Sequence, residues 1–300
     1  MNFGSFVAPM LLSEKSEPFD DEDFIYEIKF DGIRATLHAS SSGVKIYSRR
    51  GNDLTQVFPE LQGIKKSVEG KVIFDGEIIA FENGVPSFSK LQRRTRLRDG
   101  KKIRVMSIEE PVAFVAFDCL YEGKDLRSLP LLLRKERLEK YVDTEEFVKA
   151  KFVSGQGRKL FSRIVKLGLE GIVAKRKDSL YMTGHRTEDW IKIKNFACDK
   201  FLIGGIVENK EKASLLLGEY RDGYLFFVGK VAIMRNTSLY GKVAKTKEMN
   251  KSPFVDYDEN EARFIRPTIS CEVVYIERTP SGHLRQPVLK KKGRDIVDEG

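Results

Sequence analysis

Cysteine is scarce in this chain, and the few present make no framework. Cys119, Cys198 and Cys271 are odd in number, far apart and set in apolar or mixed surroundings. Neither a disulfide scaffold nor a cysteine zinc site is indicated, and a reducing compartment fits. Histidine is equally sparse: His38, His185 and His283 stand alone and read as surface or packing residues rather than metal ligands. No run of about 18 apolar residues occurs, and Met1-Asn2-Phe3-Gly4 lacks the basic-then-apolar layout of a signal peptide. Internal repeats and low-complexity linkers are absent too. The expectation is a cytoplasmic protein with no membrane partner.

What is abundant is positive charge. Lys and Arg number 53 against 44 Asp and Glu, a formal net charge of +9 with a pI near 9.2, which suits a polyanionic partner. The excess clusters: Lys90, Arg93, Arg94, Arg96, Arg98, Lys101, Lys102 and Arg104 are opposed only by Asp99 within residues 90–104. Such a run fits several backbone phosphates.

Three hundred residues favour two domains. Apolar alternation predicts strands over 24–30, 35–39, 44–48, 72–80, 112–120, 171–175 and 189–194, with helices over 135–141 and 158–167, the second stopped by Gly168. Antiparallel strands with few helices make an α+β domain rather than a repeating βαβ one. Beyond Lys194 the texture changes to short strands at 201–207, 214–220, 224–231 and 270–277, separated by turn signals at 208–210 and 221–223. That rhythm suits a small barrel, interrupted over 235–262 by a helix and loop. The expected division is 1–197 and 198–300.

Chemistry concentrates in Glu27-Ile28-Lys29-Phe30-Asp31-Gly32-Ile33-Arg34. Tyr26, Ile28 and Phe30 share one face of a period-two strand and belong in a core, which turns Glu27, Lys29 and Asp31 toward a cleft. Further strings follow in order: Ser48-Arg49-Arg50-Gly51, Phe74-Asp75-Gly76-Glu77-Ile78, Phe114-Val115-Ala116-Phe117-Asp118, Glu170-Gly171-Ile172-Val173-Ala174-Lys175 and Trp190-Ile191-Lys192-Ile193-Lys194. Lys192 and Lys194, two apart on a strand, can grip one phosphate together. Near the end comes a signature running from Tyr275 to Pro287.

The KxDGxR string and its ordered companions resemble the motif set of covalent nucleotidyltransferases, and specifically ATP-dependent DNA ligases. The signature at 275–287 is similar to that of the ligase module of bacterial and archaeal nonhomologous end-joining ligases. The resemblance covers nearly the whole chain and implies a nucleotidyltransferase (adenylation) domain followed by an OB-fold. It implies that Lys29 is the nucleophile that takes AMP from ATP, a role suited to an amine that forms a phosphoramidate. It places Glu27, Arg34, Arg49, Glu77, Phe117, Lys192, Lys194 and Arg285 on the nucleotide: Phe117 stacks on the purine, Glu77 takes the ribose 2′-hydroxyl, and Arg285 orients the leaving pyrophosphate. Arg294 and Asp295 fall about one residue later than the motif, and Arg50 stands where many relatives carry asparagine. Glu170, with Glu77, is implied as the holder of Mg²⁺, with Mn²⁺ as an alternative. DNA contacts are expected at Arg49, Arg93 and Arg94. The implied partners are ATP and nicked double-stranded DNA, met by a monomer that is cytoplasmic or nucleoid-associated; an end-binding or clamp-like protein partner is not identifiable from the sequence. RNA ligases and capping enzymes share the first motif and are the nearest enzymatic rivals; a nucleic-acid-binding module without catalysis is the rival from another class.

Overall fold

The period-two alternation around Lys29 is realised in β2 (Phe24–Ile28), the strand from which the rest of the first unit is best followed. The computed structural model describes residues 3–82, 85–209, 212–279 and 281–290, so Arg294 and Asp295 lie outside the described residues. The chain divides into two units, Met1–Lys194 and Asn195–Gly300.

Besides β2, the first unit contains β1 (Leu11–Glu14), β3 (Ile33–Ser40), β4 (Gly43–Ser48), β5 (Lys71–Glu82), β6 (Val85–Pro86), β7 (Val112–Glu122), β8 (Phe147–Lys149), β9 (Phe152–Ser154), β10 (Gly171–Arg176) and β11 (Arg186–Lys194). Its helices are α1 (Phe88–Arg96), α2 (Gly100–Glu109), α3 (Leu131–Leu138) and α4 (Gly157–Lys166). One sheet runs β1-β11-β10-β2-β9, the other β4-β3-β5-β7-β8, with β6 hairpinned onto β5. Met10, Ile25, Ile73, Leu120, Tyr181 and Trp190 form a buried cluster fed by strands of both sheets. On the far face of the first sheet Tyr26, Ile172, Ala174, Ile191 and Ile193 pack with Ile164 of α4. The opposite face, carrying Glu27, Lys175, Lys192 and Lys194, is left for chemistry.

The strand stops at Ile28, two residues short of expectation. Lys29 N–H donates to the Gly171 carbonyl at 2.9 Å, and Phe30 packs with Ile79, Ala113, Val115 and Ala150 instead of with Tyr26. The turn needs Gly32 for space, since a Cβ there would lie 2.2 Å from the Ile78 carbonyl oxygen. Gly171 is required on two counts: φ is +152°, and a Cβ would meet the Ile193 oxygen at 2.2 Å.

The helix expected at 135–141 lies at Leu131–Leu138. Pro130 precedes it with φ −52°, and its buried face is Leu131, Arg134, Lys135 and Leu138. Two of those four are charged, so an apolar pattern misses half the face. In the second unit β15 (Ala262–Tyr275) starts eight residues before the strand expected at 270–277. It follows β12 (Ala197–Glu208), β13 (Ala213–Arg221), β14 (Tyr224–Ile233) and α5 (Ser238–Ala244), and it precedes β16 (Val288–Leu289). The order is β14-β13-β12-β15-β16. Pro267, which has no N–H to give a ladder, falls at the irregularity where the register jumps from Ile203↔Ile269 to Gly205↔Phe264. A bulge needs no ladder donor from proline. No helix among the described residues is long and apolar enough to cross a membrane.

The basic run at 90–104 is two short helices. Asp99 caps the second, accepting from the Lys101 N–H at 2.8 Å. This placement corrects the expected role of Arg94. Its side chain is 0% exposed and binds Glu60 at 2.9 and 3.2 Å and the carbonyls of Glu110, Met106 and Val57 at 2.7, 3.2 and 3.2 Å. Arg94 is thus a buried tie between the helices and the 3-10 segment Pro59–Ser67, out of reach of a DNA phosphate, because the whole guanidinium is buried and both terminal nitrogens are bonded within the protein. Arg93, one residue earlier, is 64% exposed and pairs with Glu110 at 3.2 Å.

Arg94→Ala should therefore cost stability on the order of 3 kcal/mol, because it strands a buried carboxylate, while Arg93→Ala should change it by about 0.5 kcal/mol or less. Urea denaturation of both variants decides this, and equal small losses would make Arg94 an ordinary surface charge. A second expectation concerns His38, 1% exposed on β3, whose Nδ1 accepts from the Gly4 N–H at 3.3 Å. Burial, with Lys45 acting in the same sense, pushes its pKa from 6.5 to about 4. The unfolded chain then takes a proton that the folded chain refuses, so this contribution is full above pH 6.5 and is lost as pH falls toward 4, by roughly 3 kcal/mol. The stability advantage of the native chain over His38→Gln should shrink by that amount across the window. A constant difference would show that His38 protonates equally in both states.

Candidate active site

Strand register decides which side chains meet. Glu27 lies opposite Val173, Val173 opposite Lys192, Lys175 opposite Trp190, and Glu14 opposite Lys192. One face of the first sheet therefore presents Glu14, Glu27, Val173, Lys175, Trp190, Lys192 and Lys194 in adjoining rows. From the second sheet come Arg34 on β3, Glu77 directly opposite it on β5, and Phe117 on β7. Glu27, Lys29, Phe30, Arg34, Glu77, Phe117, Val173, Lys175 and Trp190 line one narrow cavity. A wider groove along α4, between Pro18, Arg158, Phe161 and Val165, holds none of the motif residues.

Lys29 Nζ stands 2.7 Å from Glu170 Oε1. The other oxygen of that carboxylate, Oε2, is buried and accepts no hydrogen bond. Burial raises the pKa of Glu77 from 4.5 to about 8, with Lys29 and Arg34 pulling it down and Glu170 and Asp75 adding to the rise. Among the described residues no set of three or more His, Cys, Asp or Glu side chains is placed to hold a metal. Two carboxylates, one with an unused oxygen and one pushed toward its neutral form, fit a hard cation that takes one or two protein oxygens and completes its shell from substrate phosphates.

Arg34 is fixed by a two-pronged bond to Asp75, Nε to Oδ1 at 3.2 Å and Nη2 to Oδ2 at 2.8 Å. The same Oδ2 accepts from the Tyr181 hydroxyl at 2.6 Å. Arg34 Cζ sits 5.4 Å from the centre of the Phe117 ring, and the buried Lys175 Nζ sits 4.1 Å from that ring and 4.2 Å from Trp190. Glu27 is buried between Lys135 and Lys175, the latter at 2.7 Å. Burial works to raise its pKa, but the two lysines hold it below the usual carboxylate range. Lys175 is pushed down to about 8 by burial, with Glu27 resisting the fall.

Lys192 and Lys194 share a partner, Glu14, at 2.9 and 3.9 Å. Arg49 is exposed on the turn after β4, its N–H bound to the Arg34 carbonyl at 3.0 Å. Burial, then the nearby Arg34, Arg186 and Arg50, lower its pKa, which marks a concentration of guanidinium groups beside the cleft. In the second unit Arg285 Nη1 pairs with Glu277 Oε1 at 2.8 Å, and its N–H bonds the Glu277 carbonyl.

The first unit thus gathers Lys29, Glu27, Arg34, Glu77, Phe117, Glu170, Lys192 and Lys194 about one cleft, and leaves Arg93 on the surface and Arg94 in the interior. Sequence reasoning missed Glu14, Asp75, Lys135, Lys175 and Tyr181. Asp75 and Lys175 sit inside quoted motif strings and were within reach. Glu14, Lys135 and Tyr181 carry no local signal, because only tertiary pairing brings them to the site.

Residues 9–194 match the family model described as the ATP dependent DNA ligase domain, and 208–295 match the ATP dependent DNA ligase C terminal region. The multifunctional non-homologous end joining DNA repair protein LigD of Mycobacterium tuberculosis is 32% identical over 98% of this chain. The chain spans only 40% of that relative's length. The SPbeta prophage-derived DNA ligase-like protein LigB of Bacillus subtilis is 30% identical, over 94% of this chain and 97% of its own. Among solved structures, mycobacterial DNA ligase D complexed with ATP and MES aligns over 98% of both chains with a TM-score of 0.58 at 29% identity. With both family models in order along one chain and a lysine clasped in the cleft that the first of them covers, the chain belongs to the ATP-dependent DNA ligase family.

Proposed function

We propose that this chain seals nicks in duplex DNA through a lysyl-AMP intermediate, with Lys29 as the nucleophile. The observation that carries the reading is the placement of the Lys29 amine inside a cleft that also holds Lys192 and Lys194 on one strand face and Glu170 within 2.7 Å. The neutral amine attacks the α-phosphorus of ATP; the P–N bond forms, the bond to pyrophosphate breaks, and the amine proton leaves to solvent or a neighbouring base. A DNA 5′-phosphate oxygen then attacks the same phosphorus and frees the lysine. Finally the 3′-hydroxyl attacks the activated 5′-phosphate, and AMP departs.

Fixed cations matter most where negative charge grows, at the oxygens of the reacting phosphorus. Lys192 and Lys194 are assigned there, and Arg34, braced by Asp75, beside them. Glu77 and Glu170 are the assigned holders of Mg²⁺, or of Mn²⁺ in its place, which when bound draws charge off the phosphoryl oxygens. Glu77 also takes the ribose 2′-hydroxyl, Phe117 supplies the apolar surface for the purine, and Glu27 belongs to the same wall. DNA phosphates are assigned to the exposed Arg49 and Arg93, and Arg285 to the leaving pyrophosphate. The likeness to LigD favours repair by end joining as the setting.

Lys29→Ala should fold normally and form no AMP adduct. Intact-mass spectrometry after incubation with ATP and Mg²⁺ checks this, with nick sealing on all-DNA and all-RNA duplexes alongside; an adduct persisting on the variant would move the nucleophile elsewhere. For Arg285→Ala the expected result is at least tenfold slower sealing with ATP, yet near-normal sealing of a nick that already carries 5′-AMP, where no pyrophosphate leaves. Equal loss on both substrates would put Arg285 on the DNA or on the fold.

A further inference from the structure

Glu14 lies outside every motif string, yet it is the acid that faces the two lysines of the last one. It ends β1, which runs parallel to β11 and sets Glu14 opposite Lys192. Its carboxylate meets Lys192 Nζ at 2.9 Å and Lys194 Nζ at 3.9 Å. The side chain is only 15% exposed, and Oε1, the oxygen toward Lys194, is buried without a hydrogen bond. One carboxylate thus lies against two ammonium groups, one bonded closely and the other held at longer range by charge. A phosphoryl group entering between those lysines would meet the same two cations, and a fixed anion beside it.

We propose that Glu14 is the resident anion of the phosphate subsite: it holds Lys192 and Lys194 toward the cleft when no nucleotide is bound and competes with the nucleotide phosphate for them afterwards. This rests on the assignment of Lys192 and Lys194 to the α-phosphate. The arrangement has a use in the reaction. The same subsite must hold the phosphate of ATP, then of lysyl-AMP, and at the end let AMP go. Affinity shared equally by substrate and product adds nothing to the chemical step and delays release. A carboxylate that keeps a claim on both lysines weakens that shared affinity while leaving the two charges aimed and partly desolvated.

The test uses AMP and adenosine, which differ by the one phosphate in question, measured by calorimetry on the full chain freed of AMP with pyrophosphate. Glu14→Gln should bind AMP on the order of three- to tenfold more tightly, the range for an ion pair neither fully exposed nor fully buried, and bind adenosine unchanged. Glu14→Ala should move in the same direction, and Glu14→Asp, which keeps the charge, should stay near the native value. Lys192→Ala should weaken AMP without touching adenosine, and on that background the gain from Glu14→Gln should shrink. If Lys192→Ala weakens AMP but neither neutral Glu14 variant tightens it, the proposal for Glu14 is overturned and the phosphate assignment stands. If Lys192→Ala leaves AMP binding unchanged, the phosphate assignment falls and takes the proposal with it. A parallel change in adenosine would mark Glu14 as a packing residue and overturn the proposal as well.

Discussion

Charges facing a cleft between two sheets cannot be left alone there. The first sheet turns one face apolar, against α4, and so forces its alternate residues, Glu27, Lys175, Lys192 and Lys194 among them, into the space under the second sheet. Each finds an opposite number: Lys29 with Glu170, Lys175 and Lys135 with Glu27, Lys192 with Glu14, and Arg34 with Asp75. Removing one member of a buried pair costs far more than the pair contributes, because the survivor remains out of water. The site is therefore a set of mutually dependent ion pairs, and its geometry is rigid for electrostatic reasons before any substrate arrives.

The pairs differ in how firmly they are held, and that sorts scaffold from machinery. Asp118 and Arg134 are both 0% exposed and share two-pronged bonds at 2.9 to 3.2 Å; Arg134 also donates to the Ser179 carbonyl. Nothing small enough to enter the cleft can exchange with such a pair. Lys29 and Lys192 are each 19% exposed on the side chain, so a phosphate can take over their partners' role. The intermediate case is Glu27, enclosed with Lys175 and Lys135 at 2–3% exposure. That trio anchors the aromatic end of the cleft, with Lys175 spread over Phe117 and Trp190.

How much of this was legible depended on whether the signal was local. Period-two alternation marks β2 and β11 because both lie half in a core, and it correctly sends Glu27 to one face and Tyr26 to the other. The same logic overran at Phe30, since alternation cannot see a turn forced by the close approach of Gly32 to Ile78. Hydrophobic spacing misplaced α3 because Arg134 and Lys135 occupy buried positions that only Asp118 and Glu27, from distant strands, make tolerable. Charge clustering failed at Arg94 for a related reason. Composition treats Arg93 and Arg94 alike, whereas a helix turns them about 100° apart, sending one to solvent and the other to Glu60.

The chemistry proposed for Lys29 also gives a meaning to its pairing with Glu170. On the proposed mechanism attack requires a neutral amine, so the Lys29 contact to Glu170 is a resting arrangement to be exchanged before reaction. Glu170 has the means to exchange it, because its second oxygen is buried and unsatisfied and so favours a cationic partner. Glu77, whose pKa burial raises and the nearby Glu170 raises further, gives the same preference a second foothold. The two acids that would repel a triphosphate are thus the two that most need a positive charge. Lys29, Lys192 and Lys194 are meanwhile the cations whose present partners, Glu170 and Glu14, sit at partly exposed positions. The unliganded cleft is balanced by pairs that a polyphosphate and its counter-charge can trade, while the buried pairs behind it hold the strands in register during the trade.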